Sequence, residues 1–239
     1  SPELISLTSE FLRNLADRRH TIVITGNHDT NLNNTSRLDA LTPIIDNLNH
    51  PNLHYLKDSG VYKIADTHFT VFSIFDSPST FIKASSFNAD TKIALFHGPV
   101  KSSKTDIGYE VTGEEYTADL FDGYDLSLLG DIHKRQYVDK EKTICYPGSL
   151  IQQNFGEAFK HHGYAVWDVA KRKPKYTDVP NKYGFYTIDV KNGVLPNISD
   201  IPKQPRLRIR TTNTTEAELK SIIKDVKKQC RANDIITIK

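Results

Sequence analysis

The stretch His20-Thr21-Ile22-Val23-Ile24-Thr25-Gly26-Asn27-His28-Asp29 decides how this chain is to be read. Its first six residues are mostly β-branched and apolar, the pattern of a buried strand. The last four then lie in the loop at the strand's C-terminal end, where open α/β sheets build their sites. Gly26 permits a tight turn, Asn27 offers a neutral oxygen ligand, and His28 beside Asp29 makes an oriented proton donor. Taken alone, the four residues fit an ordinary polar loop equally well.

Repetition separates the two readings. A second apolar run, Thr91-Lys92-Ile93-Ala94-Leu95-Phe96, ends in His97-Gly98-Pro99. A third, Tyr124-Asp125-Leu126-Ser127-Leu128-Leu129, ends in Gly130-Asp131-Ile132-His133. One histidine after a strand is usually a packed or solvated side chain. Three strand-like segments that each deliver metal-ligand residue types at the same end are harder to explain that way. Asp131 and His133 are two apart, so in extended backbone they would face opposite ways, whereas in a turning loop they can straddle two ions.

This series, GNHD, then a strand-end His, then G-x-x-H after another strand, is similar to the motifs of calcineurin-like metallophosphoesterases. A further run, Tyr146-Pro147-Gly148-Ser149-Leu150-Ile151-Gln152-Gln153-Asn154-Phe155-Gly156-Glu157, followed by His162-Gly163-Tyr164-Ala165-Val166-Trp167-Asp168, resembles the SbcD-type DNA repair nucleases. Those enzymes are the nuclease partners of an SMC-like ATPase. The run carries little catalytic chemistry of its own, and a strand-turn role is its plainer reading.

The resemblance implies an α/β fold: a layered calcineurin-like sheet sandwich flanked by helices, with a small α+β cap module at the C-terminus. It implies two divalent metal ions, Mn²⁺ before Mg²⁺. Asn27, His97 and Asp131 fall at second-metal positions and His133 at a first-metal position. His28 falls where the family contacts the scissile phosphate, and Asp29 would orient it. Many relatives have His where this chain has Asp131, and an anionic oxygen there favours hard ions. Relatives also open with strands ending in Asp-x-His and Gly-Asp, which complete the first site and bridge the metals. Here residue 1 already belongs to the helix before GNHD, and the chain has no Met. The expectation is a chain without its N-terminal strands that cleaves DNA slowly by itself. Asp-x-His and Gly-Asp encoded upstream of Ser1 would favour the enzyme over a scaffold. His50, His54, His68, His161 and His162 match no motif and read as surface or packing residues.

Composition agrees with a globular chain. Charged residues are 25% and hydrophobic residues 38% of 239, and no apolar run approaches a membrane span or a signal peptide. Cys145 and Cys230 are too few for a disulfide framework, so an intracellular, reducing compartment is expected. The net charge of +2 is unevenly spread. From Lys171 onward 16 basic residues face 7 acidic ones, which leaves the first 170 residues with a surplus of seven acids. A basic C-terminal part suits a phosphate-rich partner, although exposed lysines are often merely solvated.

Apolar Leu4, Leu7, Phe11, Leu12 and Leu15 behind Pro2 predict a helix ending near Arg19. Ser36–Asn47 reads as a second helix, imperfect at Pro43, and Glu114–Phe121 as a short third. Val61–Ile64 and His68–Phe75 read as a hairpin. Ile144–Tyr146, Gly163–Val169, Lys175–Val179 and Tyr183–Val190 read as strands. A turn-rich loop with Gly193, Pro196, Pro202 and Pro205 follows. Arg206-Leu207-Arg208-Ile209-Arg210 then alternates with period two. Thr215-x-x-Glu218 forms a capping box for a helix with Leu219, Ile222, Ile223 and Val226 on one face and Lys220, Lys224, Lys227 and Lys228 off it. Ile235–Ile238 begins another strand. The boundary expected is residues 1–182 for the phosphoesterase domain and 183–239 for a truncated cap, with Arg206, Arg208 and Arg210 contacting DNA.

The combined expectation is a Mn²⁺-dependent DNA exo/endonuclease acting in repair, with DNA and an SbcC-type ATPase as partners and no membrane; a homodimer is possible, and the sequence does not set the oligomeric state. Two alternatives stay open: another calcineurin-like phosphoesterase on a small or protein substrate, and a non-catalytic DNA-binding scaffold.

Overall fold

The computed structural model describes residues 1–198, 201–232 and 234–238. The protein is a mixed α/β chain with several sheets, and it divides into two compact units. The first comprises Ser1–Lys104, Tyr109–Gly148 and Trp167–Lys175; the second comprises Thr105–Gly108, Ser149–Val166 and Tyr176–Lys239.

In the first unit, helix α1 (Pro2–Ala16) starts where the Ser1 hydroxyl accepts from the Leu4 N–H, with Pro2 in the first turn. It ends three residues before the expected Arg19, because the N–H groups of Arg18 and Arg19 both turn back to Leu15 O. Strand β1 (Thr21–Ile24) follows. Helix α2 is Thr42–Leu48, not Ser36–Asn47. Asp39 explains the late start: its carboxylate accepts from the N–H groups of Leu41 and Thr42, and Pro43 then occupies the first turn, where a missing N–H costs nothing. Strand β2 (Leu53–Leu56) runs parallel to β1, with Thr21 opposite Leu53.

Six strands form the main sheet: β3 (Gly60–Ile64), β4 (Thr67–Phe72), β5 (Lys92–His97), β6 (Leu126–Gly130), β7 (Gln136–Tyr137) and β8 (Ile144–Tyr146). Their order is β3-β4-β5-β6-β8-β7. The β3–β4 and β7–β8 pairs are antiparallel and the inner pairs parallel. The expected helix at Glu114–Phe121 is a single 3₁₀ turn, Ala118–Phe121.

Period two sorts the side chains into layers. Ile93 and Leu95 of β5, Leu126 of β6 and Val71 of β4 form one cluster, against which Ile22 and Ile24 of β1 pack. The two sheets of this unit thus share one apolar seam. Val23 and Tyr55 point the other way, onto Leu12, Ala16, Ile44 and Ile45 of the two helices. On the far face of the main sheet, Phe72, Ala94, Phe96 and Leu129 meet Phe81, Phe121 and Tyr124. Truncation of a fully buried ring such as Phe72 or Phe96 costs about 3–5 kcal/mol.

Strands β9 (Gly163–Asp168) and β10 (Lys173–Asp178) form a two-stranded hairpin whose turn end, Trp167–Lys175, belongs to the first unit. The second unit contains a parallel three-stranded sheet, β11 (Tyr183–Lys191), β12 (Gln204–Thr212) and β13 (Asp234–Ile238), with helix α3 (Glu216–Gln229) between β12 and β13. The capping box at Thr215 and Glu218 is present. Ile222 and Val226 of α3 pack on Leu207 and Ile209. No helix among the described residues is long and apolar enough to cross a membrane.

Candidate metal centre

The C-terminal ends of β1, β5 and β6 meet at one edge of the first unit. His97 is the last residue of β5, and its register partner is Gly130, the last residue of β6. Backbone pairing therefore puts Asp131 one residue past the histidine on the neighbouring strand. Asn27 enters from β1 across the seam. The His97 Nε2–H donates to Asn27 Oδ1 at 3.1 Å. The Asn27 Nδ2–H donates to Asp131 Oδ1 at 3.4 Å. His97 Nε2 and Asp131 Oδ1 are 3.8 Å apart. These contacts join residues 70 and 104 positions apart in sequence.

Two glycines make the approach feasible. The imidazole of His97 lies between Gly26 and Gly130. A Cβ at position 26 would stand 3.0 Å from His97 Cε1, and one at 130 would stand 2.7 Å from His97 Nδ1. No larger residue fits either place without moving the ring. Asp131 itself has φ 92°, a left-handed conformation that costs a non-glycine residue about 1–3 kcal/mol.

The turn carrying Asn27 and His28 is closed twice. The Asp29 N–H donates to Gly26 O at 3.0 Å, and the Asp29 carboxylate accepts from the Gly26 N–H at 2.8 Å. The Asp29 side chain, expected to orient His28, is thus bonded to the backbone of Gly26 within the turn that bears the histidine. His28 and His133 are exposed. Burial holds the pKa of His97 below the usual imidazole value; the negative charges of Asp131 and Asp29 push it back up, and His28 and His133 push it down. All four groups are therefore within electrostatic reach of His97.

The donor set suits a hard divalent cation. Two ligands about 2.1 Å from one ion, at angles of about 90–110°, stand about 3.0–3.4 Å apart. The His97 Nε2–Asn27 Oδ1 separation, 3.1 Å, lies in that range, and the His97 Nε2–Asp131 Oδ1 separation, 3.8 Å, corresponds to a wider angle; the 3.4 Å contact between Asn27 and Asp131 is made by the amide nitrogen, which does not ligate. Among the described residues no three His, Cys, Asp or Glu side chains converge on one point. The group found here is completed by a carboxamide. It opens into a cleft of about 200 Å³ whose walls include Leu32, Ile74, Phe96 and Tyr116.

One residue that shapes this site escaped the sequence reading. Tyr146 is fully buried, and its hydroxyl donates to Gly98 O at 2.6 Å and accepts from the Val100 N–H at 2.8 Å. It clamps the loop that leaves His97. The signal was present, because Tyr146 opens the run that resembles the nuclease family. Several histidines outside the motifs have local partners: His50 with Asp17, His20 with His54, and His162 with Ser149 and Ala158 O, whereas His68 buries Nδ1 without a hydrogen bond.

The arginines of β12, expected to contact DNA, have partners of their own in the second unit. They do share one face, but each is engaged by its neighbour on β11. Arg210 makes a two-pronged ion pair with Asp189 at 2.6 and 2.8 Å. Arg208 donates to the Thr187 hydroxyl at 3.1 Å, and its guanidinium lies 4.7 Å from the Phe155 ring centre. Arg206 lies 5.7 Å from the Phe185 ring centre.

No family model matches the chain. An uncharacterized protein of Acanthamoeba polyphaga mimivirus is 39% identical over 247 aligned residues, which cover 99% of this chain and 18% of that protein. The chain thus spans about a fifth of the length of the curated relative it matches.

Proposed function

We propose that this chain is the metal-binding part of a calcineurin-like phosphodiesterase of the SbcD type, acting on DNA. One observation carries the reading: Asn27, His97 and Asp131, each just past or at the end of a different strand, meet within 3.1–3.8 Å. The shared apolar seam between the two sheets of the first unit supports a layered sandwich of that class. Asn27, His97 and Asp131 would hold one ion, and His133 would contribute to a second. Bound divalent ions would neutralise the phosphate's charge and ready a water for in-line attack.

The chain's own residues do the rest. His28 belongs to a turn locked by Asp29, so its backbone is held in place and its imidazole would give a proton to the departing oxygen. Low pKa from burial keeps His97 neutral and able to coordinate. The Tyr146 clamp holds the loop behind it. The ATPase partner, a possible homodimer and the repair role rest on the resemblance of the Tyr146–Glu157 run, and an intracellular location rests on the small number of cysteines, Cys145 and Cys230.

The test is Mn²⁺ binding followed by electron paramagnetic resonance. The wild-type chain is expected to bind Mn²⁺, with His97→Ala and Asp131→Ala losing at least about tenfold in affinity. Equal affinity in all three proteins would remove the metal assignment. The engagement of Arg206, Arg208 and Arg210 favours a second reading, a phosphoesterase for smaller substrates, unless another surface holds the nucleic acid.

A further inference from the structure

A different basic surface is built in the second unit, at the C-terminal end of α3. Lys182, Lys203, Lys227, Lys228 and Arg231 line a groove of about 490 Å³, together with Gln204, Gln229 and Cys230. Among the described residues lining it, none is acidic. Two main-chain hydrogen bonds bring the three segments together: Gln204 N–H to Lys182 O at 2.8 Å, and Arg231 N–H to Lys203 O at 3.1 Å. Among the described residues, Lys228 is the one of these cations with an acidic partner, Asp225 at 3.0 Å.

Lys227 and Lys228 also suit the carbonyl end of α3, where cations are favoured by the helix dipole. That account does not reach Lys182, Lys203 and Arg231, which lie outside the helix. Gathering five cations in one concavity raises their mutual repulsion unless an anion occupies it. Five charges are more than one inorganic phosphate needs, so a ligand with repeated charge fits better.

We propose that this groove, and not the arginine face of β12, holds the phosphodiester backbone of a nucleic acid. The proposal deepens the phosphodiesterase reading by saying where its polymeric substrate is gripped. Phosphate contacts carry affinity and no base specificity.

The probe is a fluorescein-labelled duplex of about 20 base pairs, titrated with the full 239-residue chain in EDTA across a range of salt. In Lys203→Ser/Lys227→Ser/Arg231→Ser, affinity at low salt should fall at least about tenfold. The log–log salt slope should flatten by up to about 2.7, or about 0.9 for each phosphate no longer neutralised. Arg206→Ser/Arg208→Ser/Arg210→Ser should change the slope by less than about 0.9, the share of a single phosphate. An unchanged slope in the groove variant overturns the proposal, as does a larger loss in the arginine variant. If circular dichroism shows the groove variant unfolded, acetylation of the wild-type chain decides: Lys203 and Lys227 should be protected by DNA, and equal labelling with and without DNA overturns the site. Equal protection by poly-glutamate at matched charge would also overturn it, because the groove would then read charge alone. Binding in EDTA is independent of metal. Loss of Mn²⁺-dependent hydrolysis of bis-nitrophenyl phosphate would count against the phosphodiesterase reading and leave the groove standing.

Discussion

Replacing Tyr146 by Phe isolates the clamp behind His97. The ring stays, so packing in the aromatic cluster is preserved. The hydroxyl goes, and with it the bonds to Gly98 O and the Val100 N–H. Both main-chain groups belong to buried residues, and Val100 has 0% exposure. A buried polar group left without a partner costs about 1–3 kcal/mol, so the pair should cost about 2–6 kcal/mol. Burial pushes the Tyr146 phenol pKa up, so the proton that bonds Gly98 O stays on through the neutral range. Trp167, the chain's single tryptophan, belongs to the first unit and packs on the seam cluster, so its fluorescence reports unfolding of that unit. In urea, the midpoint should drop by about 0.7 M or more for slopes of about 1–3 kcal/mol per molar. A midpoint unchanged within about 0.2 M would refute the energetic role. Mn²⁺ affinity provides the second readout: a destabilised variant that binds Mn²⁺ as wild type would show that the clamp does not position His97.

Three further outcomes follow from the same geometry. His28→Ala should leave Mn²⁺ affinity within about threefold of wild type while His97→Ala lowers it at least about tenfold, as measured by paramagnetic resonance; equal losses would mean that His28 is a ligand. Gly130→Ala would put a methyl 2.7 Å from His97 Nδ1, so the ring must turn and Mn²⁺ affinity should fall by about tenfold or more; unchanged affinity would mean that the ring is free to shift. The pKa of Asp39 is raised by burial but held, on balance, well below the usual carboxylate range by Lys57 and Thr42. A depressed folded pKa gives stability that is fully present above about pH 3.9 and is lost progressively as pH falls from there through the lower folded value, so Asp39→Asn should cost about 1–2 kcal/mol at pH 7 and clearly less near pH 2, read from urea midpoints at both values.

The strands that bear the site are legible because each is an apolar run ending in a polar residue that a strand interior would not hold. Ile93–His97 and Leu126–Gly130 sit where the pattern puts them, and so do β8 and the capping box of α3. Helix α2 departs from the pattern because the local winner is a side-chain bond: Asp39 takes the N–H groups of Leu41 and Thr42, which a longer helix would have used. Glu114–Phe121 has the composition of a helix but too few residues to offset the cost of nucleation, and only a 3₁₀ turn remains. The clamp by Tyr146 joins residues 48 apart through a hydroxyl, and no periodicity reports such a bond.

The arginine face shows a sharper limit. Both β11 and β12 are visible as strands, and period two correctly places Arg206, Arg208 and Arg210 together. What a pattern within one strand cannot give is the register between two. In the parallel ladder Phe185 stands beside Arg206, Thr187 beside Arg208 and Asp189 beside Arg210. The same alternation that exposes the arginines therefore sets an aromatic ring, a hydroxyl and a carboxylate next to them. An arginine held by a carboxylate through two hydrogen bonds has already committed the fork geometry it would offer a phosphate. The lysines of the α3 groove reverse the case. They come from three separate segments, so the sequence marks only Lys227 and Lys228, on the polar face of α3, and not the groove they share with Lys182, Lys203 and Arg231. Yet the backbone bonds Gln204–Lys182 and Arg231–Lys203 collect them in one place with little acid to balance them. Local charge density after pairing, rather than the number of basic residues along a strand, determines where a polyanion is held, and on that measure the groove outranks the strand.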